Sequence, residues 1–164
     1  MESIRDLILI GGIPSSGKTT LSREIAGFFQ IPEENIIQTD HIYMAIADEL
    51  EKNQMEFANP KEWMKVEPLV LLPLKHKHYK QAIEKTTKDK PVIIEGYGLA
   101  FIDDRNIVNQ YQGQLSPRLS FFLDPGFETW AMRKGVLPTE KRKHEYEYLK
   151  TLVTIQKNSF IIKR

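Results

Sequence analysis

The sequence predicts an α/β fold, a mainly parallel sheet with helices packed on both faces. Three observations predict it. Leu7-Ile8-Leu9-Ile10 and Val92-Ile93-Ile94 are unbroken apolar runs, without the polar alternation of a strand that has one wet face. Segments of helical period stand between the strand candidates, so successive strands need crossover connections. A turn bracketed by glycines joins the first apolar run directly to the first helical segment.

The elements follow in order. After Leu7 to Ile10 the period changes at Lys18: Leu21, Ile25 and Phe28 or Phe29 recur at helical spacing, with Arg23 and Glu24 on the other side. Pro32 disfavours helix at Ile31 and closes this segment. Residues 35–39 read as a short second strand ending at Asp40, and residues 44–50 as a helix. Residues 53–60 read as a loop, with Asn59-Pro60 as its turn signal. Residues 61–85 are rich in helix formers, and Pro68 and Pro73 are expected to divide them into pieces. Residues 86–91 are a polar connector to Val92-Ile93-Ile94, which ends in Glu95-Gly96. A helix is expected over 103–111 and a strand over 118–123, closed by Asp124-Pro125-Gly126. Helices over 127–134 and 139–156 flank a loop with Gly135 and Pro138. Residues 159–162 complete the expectation of five strands.

The bulk numbers fit one soluble domain spanning 1–164. A chain of 164 residues buries roughly 70% of its unfolded surface on folding. It is 41% hydrophobic and 27% charged, with a formal net charge of +1. That balance gives no support for a general nucleic-acid or membrane binder, so any anion site must be local. There are no cysteines, which excludes disulfides and thiolate zinc sites and fits a cytoplasmic location. The N-terminus lacks a basic-then-apolar leader pattern, and no run is long enough to span a bilayer.

Gly12-Ile13-Pro14-Ser15-Ser16-Gly17-Lys18-Thr19 matches glycine, four residues, then Gly-Lys-Thr, with Thr20 following. Each part has a physical task. Gly12 and Gly17 let the backbone turn tightly and approach oxygen atoms closely. The turn aims successive N–H groups inward as an anion nest. The helix beginning near Lys18 adds the positive end of its dipole. Lys18 brings a full charge to the outer phosphates, and Thr19 offers a hydroxyl to Mg²⁺, which prefers hard oxygen ligands. A buried strand before the loop and an amphipathic helix after it supply the context a chance glycine turn would lack. The ligand is thus a nucleoside triphosphate, ATP or alternatively GTP, with Mg²⁺. No Asn-Lys-x-Asp guanine motif is present.

Ligands of open parallel sheets sit beyond the carboxyl ends of the strands. Gly12, Asp40 and Glu95 each follow an apolar run and are expected along that edge. Asp40 suits a proton acceptor from an attacking hydroxyl, a water-mediated Mg²⁺ ligand, or simply a helix N-cap. Glu95 suits the metal shell or a substrate hydroxyl.

The loop, Thr39-Asp40-His41-Ile42-Tyr43 and Val92-Ile93-Ile94-Glu95-Gly96 together resemble P-loop small-molecule kinases. The likeness is to the uridine kinase, phosphoribulokinase and bacterial pantothenate kinase group, and to zeta-toxin-like and gluconate-kinase-like enzymes. Phe57-Ala58-Asn59-Pro60 is similar to an aromatic-x-x-Pro segment of that group. The resemblance implies strand order 2-3-1-4-5, Asp40 as catalytic base and Glu95 as a metal or substrate ligand. It also implies a lid around 133–143 whose cations clamp the transferring phosphate. Arg133 is favoured over Arg142 for that task, while Lys141 to Lys143 read equally well as a solvated basic face. Tyr97 and Arg105, close after Glu95, are the acceptor-side candidates beside Asp40. The implied activity is ATP-dependent phosphoryl transfer to a hydroxyl of a nucleoside, sugar or similar metabolite. The alternatives are a P-loop ATPase or GTPase, and a nucleotide-binding regulator without an acceptor.

The run Lys75-His76-Lys77-His78-Tyr79-Lys80 reads as a solvated helix face. Histidines two apart on a helix do not share a side, which argues against metal there. Trp63, Tyr97, Phe101 and Trp130 suit stacking on a base or sugar, but packing is the commoner use of such rings.

Overall fold

A computed structural model describes residues 4–52, 68–100, 102–111 and 113–157. The sheet contains β1 (Arg5–Gly12), β2 (Ile36–Gln38), β3 (Val92–Glu95) and β4 (Leu115–Leu123), in the order β2-β3-β1-β4. All pairings are parallel. The helices are α1 (Lys18–Phe29), α2 (Thr39–Lys52), α3 (Pro68–Glu84), α4 (Ile102–Asn109), α5 (Phe127–Lys134) and α6 (Glu140–Lys157). Among the described residues the sheet has four strands rather than five. The fifth candidate, 159–162, lies outside them, as do Phe57 to Pro60, Trp63 and Phe101.

The two faces of the sheet are read from the period-two alternation of strand side chains. Leu7, Leu9, Val92 and Ile94 face one way and pack with Ile42, Ile46 and Leu50 of α2, Tyr79 and Ile83 of α3, and Ile107 of α4. Ile8, Ile10 and Ile93 face the other way, against Ala26, Leu21 and Ile25 of α1. Burial on both sides explains the unbroken apolar runs. A third cluster joins Ile13 of the loop to Trp130 of α5 and Tyr146 of α6. It seats the last two helices against the loop.

Four local features depart from the sequence expectation. The second strand is only three residues long, and α2 begins at Thr39, not Met44. Asp40 therefore stands in the first turn of a helix, where the dipole favours its negative charge. Pro73 does not divide α3, which is continuous from Pro68. Pro73 removes only the bond to the carbonyl of Leu69, a residue 83% exposed, where water can replace the lost donor. The fourth strand starts earlier, at Leu115, and tolerates Pro117 at an irregularity: Leu7 pairs with Pro117 and Ile8 with Leu119, so Arg118 is the extra residue.

The basic run of α3 is the largest departure. Lys75 and Tyr79 are buried, not solvated. Lys75 Nζ lies 2.8 Å from Asp104 Oδ2, and the Tyr79 hydroxyl donates to Asp104 Oδ1 at 2.9 Å. Lys77 and His78 both reach Glu49 of α2. No helix among the described residues is long and apolar enough to cross a membrane.

Candidate functional site

The loop conformation needs its glycines. Gly12 has φ 144°, and a Cβ there would meet the backbone of Leu123 at 2.6 Å. Gly17, at φ 97°, is the N-cap of α1 and supplies no side-chain oxygen to the helix. The first-turn N–H groups of α1 are thus left without a side-chain cap, and no acid occupies that turn. Donors of this kind suit an anion. Ser15 also takes a left-handed conformation, at φ 62°. Ile13 is buried against Trp130 and anchors the loop from below.

Lys18 Nζ donates to the Ile13 carbonyl at 2.8 Å, which folds the ammonium back over the loop. Burial holds its pKa below the ordinary lysine value, while Glu95 and Asp40 pull it back up. The Thr19 hydroxyl donates to Glu95 Oε1 at 2.9 Å. Burial raises the Glu95 pKa above the ordinary carboxylate value; the Thr19 bond and Lys18 oppose that, and Asp40 adds to it. Arg133 Nη1 donates to the Ser16 carbonyl at 2.8 Å, so α5 places a guanidinium directly on the loop.

These groups surround one open cleft of about 590 Å³. Pro14, Ser15, Gly17, Lys18, Thr19 and Thr20 line it, and Asp40, Glu95, Tyr97 and Arg133 complete its walls. The cleft therefore collects residues from four separate segments beyond the carboxyl end of the sheet. Gly12, Ile13 and Ser16 shape the loop without lining the cleft.

Arg105 does not line the cleft. It is buried on α4, and burial lowers its pKa. Of the three acceptor-side candidates, Asp40 and Tyr97 line the cleft and Arg105 does not. Arg142 is engaged with Glu145 at 2.6 Å, and Lys134 also bonds Glu145. Trp130 is fully buried beneath the loop, so it packs and does not stack on a ligand. Among the described residues no group of three or more His, Cys, Asp or Glu side chains forms a metal cluster.

Sequence reasoning missed two things. Glycines 96 and 98 pack on Thr39, and Gly98 N–H donates to Thr39 Oγ1 at 3.0 Å. The Gly-x-Gly spacing after Glu95 was the available signal. The buried Lys75–Asp104–Tyr79 cluster carried no signal in a single sequence, since its members look like surface residues.

No family model and no curated protein sequence matches the chain. Among solved structures the chain is similar to a gluconokinase from Sinorhizobium meliloti 1021, at 16% identity and a TM-score of 0.45, over 98% of this chain and 78% of that one. A superposition that loose transfers no residue roles.

Proposed function

We propose that the protein transfers the terminal phosphoryl group of ATP to a hydroxyl of a small molecule. The observation that carries the reading is the convergence of Lys18, the Thr19–Glu95 pair, Asp40 and Arg133 on the cleft above an uncapped helix start. Phosphoryl transfer asks mainly for positioned charge, and these groups supply it.

In this reading the loop amides and Lys18 hold the outer phosphates. The Thr19 hydroxyl and the Glu95 carboxylate, 2.9 Å apart, are hard oxygen donors of the kind Mg²⁺ takes together with waters. They fit that ion, which would neutralise phosphate charge when bound. Asp40 is exposed in the cleft, where an acceptor hydroxyl can reach it. It accepts the hydroxyl proton as the acceptor oxygen bonds to the terminal phosphorus and the bond to the ADP oxygen breaks. Arg133, bonded to the Ser16 carbonyl and lining the cleft, supplies in this reading the cation that meets charge developing on the transferring group. Tyr97 forms the wall that an acceptor meets.

The test is ADP formation with MgATP across a panel of hydroxyl-bearing metabolites. Turnover should depend on one added acceptor class. Asp40→Asn should keep MgATP affinity and lower transfer by about 10²–10⁴-fold, the usual worth of a general base. ADP release indifferent to every acceptor would favour a plain ATPase. Full turnover in Asp40→Asn would remove the base assignment.

A further inference from the structure

Asp40 and Glu95 belong to different elements, yet their sequence neighbours touch. Thr39 precedes Asp40 and is fully buried. Gly96 follows Glu95, and a Cβ built on it would fall 1.9 Å from Thr39 Oγ1. A Cβ on Gly98 would fall 2.7 Å from Thr39 Cβ and 2.8 Å from Tyr43 Cε2. The bond from Gly98 N–H to Thr39 Oγ1 closes this contact at 3.0 Å. Gly96 N–H in turn donates to the Ile10 carbonyl at 3.0 Å, two residues before Gly12. The start of α2, the turn after β3 and the strand that feeds the phosphate loop are therefore laced together at one point.

We infer that Thr39 is a positioning residue whose side chain sets the separation of Asp40 and Glu95 across the cleft. The inference rests on the transfer reading above. Two features make the contact specific. The turn presents glycines at both positions that face Thr39, and any side chain there would push α2 away from β3. The Thr39 oxygen also accepts a buried backbone N–H that would otherwise lack that partner, so an apolar side chain of the same shape does not replace it. Asp40 is one peptide unit from this oxygen and Glu95 one from Gly96. Glu95 is tied to β1 and the loop by the Gly96-to-Ile10 and Thr19-to-Glu95 bonds, so a shift of the contact moves Asp40 with α2 while Glu95 and the phosphate loop stay where they are.

The test compares Thr39→Val, which keeps the shape and loses the hydroxyl, with Thr39→Ser, which keeps the hydroxyl. Thr39→Val should lower kcat for acceptor-dependent ADP formation by about 10- to 100-fold, as a small misplacement of reacting groups does, with MgATP affinity kept within about twofold. Thr39→Ser should restore kcat to within about threefold of the parent protein. Equal losses in the two variants, or an unchanged kcat in Thr39→Val, would overturn the inference. If Thr39→Val does not fold, Gly98→Ala carries the same test by wedging a methyl against Thr39. Unchanged kcat there overturns it equally. Crystals of Thr39→Val, or of Gly98→Ala in its place, supply a reading that needs no turnover. The Asp40-to-Glu95 separation should differ from that of the parent, and an unaltered separation refutes the clamp. If the parent protein shows no acceptor-dependent turnover, the transfer reading fails and this separation still judges the clamp.

Discussion

Lys18 and Glu95 are pulled in opposite directions by the same burial. For Lys18, burial lowers the pKa, so its charged form is the costly one in the folded protein. Its contribution to stability is unfavourable below the depressed pKa and improves as pH rises from there to the ordinary lysine value. With Lys18 as the proposed phosphate ligand, which must be an ammonium, triphosphate affinity should fall on the alkaline side before the ordinary lysine range is reached. For Glu95, burial raises the pKa. Its contribution is fully present below the ordinary carboxylate value and is lost as pH climbs through the raised one. With Glu95 as the proposed metal ligand, which must be a carboxylate, MgATP affinity should fall on the acid side while pH is still above the ordinary carboxylate value. Calorimetric titration of MgATP across pH checks both limbs. Glu95→Gln should flatten the part of the acid limb that ATP's own ionisation does not explain. An identical acid limb in that variant would separate Glu95 from the metal.

At the scale of elements, the second helical layer is held by charges the solvent does not see. Lys75 of α3 and Asp104 of α4 pair at 2.8 Å with side chains 6% and 0% exposed. The Tyr79 hydroxyl completes the carboxylate, and Lys75 Nζ sits 5.5 Å from the Tyr43 ring of α2. Asp104, after burial itself, helps hold the Tyr43 and Tyr79 phenols above their ordinary pKa. Asp104→Leu should cost about 3–5 kcal/mol, because it leaves a buried ammonium without its carboxylate. Lys75→Met with Asp104→Leu should recover most of that loss. Urea unfolding of the single and double variants measures it, and a double variant as unstable as the single one would show that the pair is not the source. The same packing explains why Lys75 and Tyr79 of the basic run are buried while Lys77 and Lys80 stay exposed.

At the scale of the molecule, the proposed nucleotide site and the fold share one anchoring point, the loop between β1 and α1. A ligand bound only to the native state stabilises it by mass action. MgATP at a hundred times its Kd should add about 2.7 kcal/mol. For a chain of this length that raises Tm by about 5–10 °C. Lys18→Ala should abolish the shift. A shift that survives Lys18→Ala would place the nucleotide elsewhere. Arg133 connects this point to the far end of the chain, since its bond to Ser16 spans 117 residues.

The sequence alone determined what neighbours along the chain decide. It determined the unbroken apolar runs of β1 and β3, the loop between Gly12 and Gly17, and the start of α1, because strand burial and turn geometry are written in consecutive residues. It also put Asp40 and Glu95 at the ends of strand segments, close to the edge they occupy. It misplaced the start of α2 and read Pro73 as a break, since a three-residue strand and an exposed proline leave ambiguous local patterns. Tertiary structure decided which distant groups meet: Thr39 with Gly98, Lys75 with Asp104, and Arg133 with the loop, while Arg105 turned into the interior. Those pairings depend on how the layers pack, and packing joins residues that no local period relates.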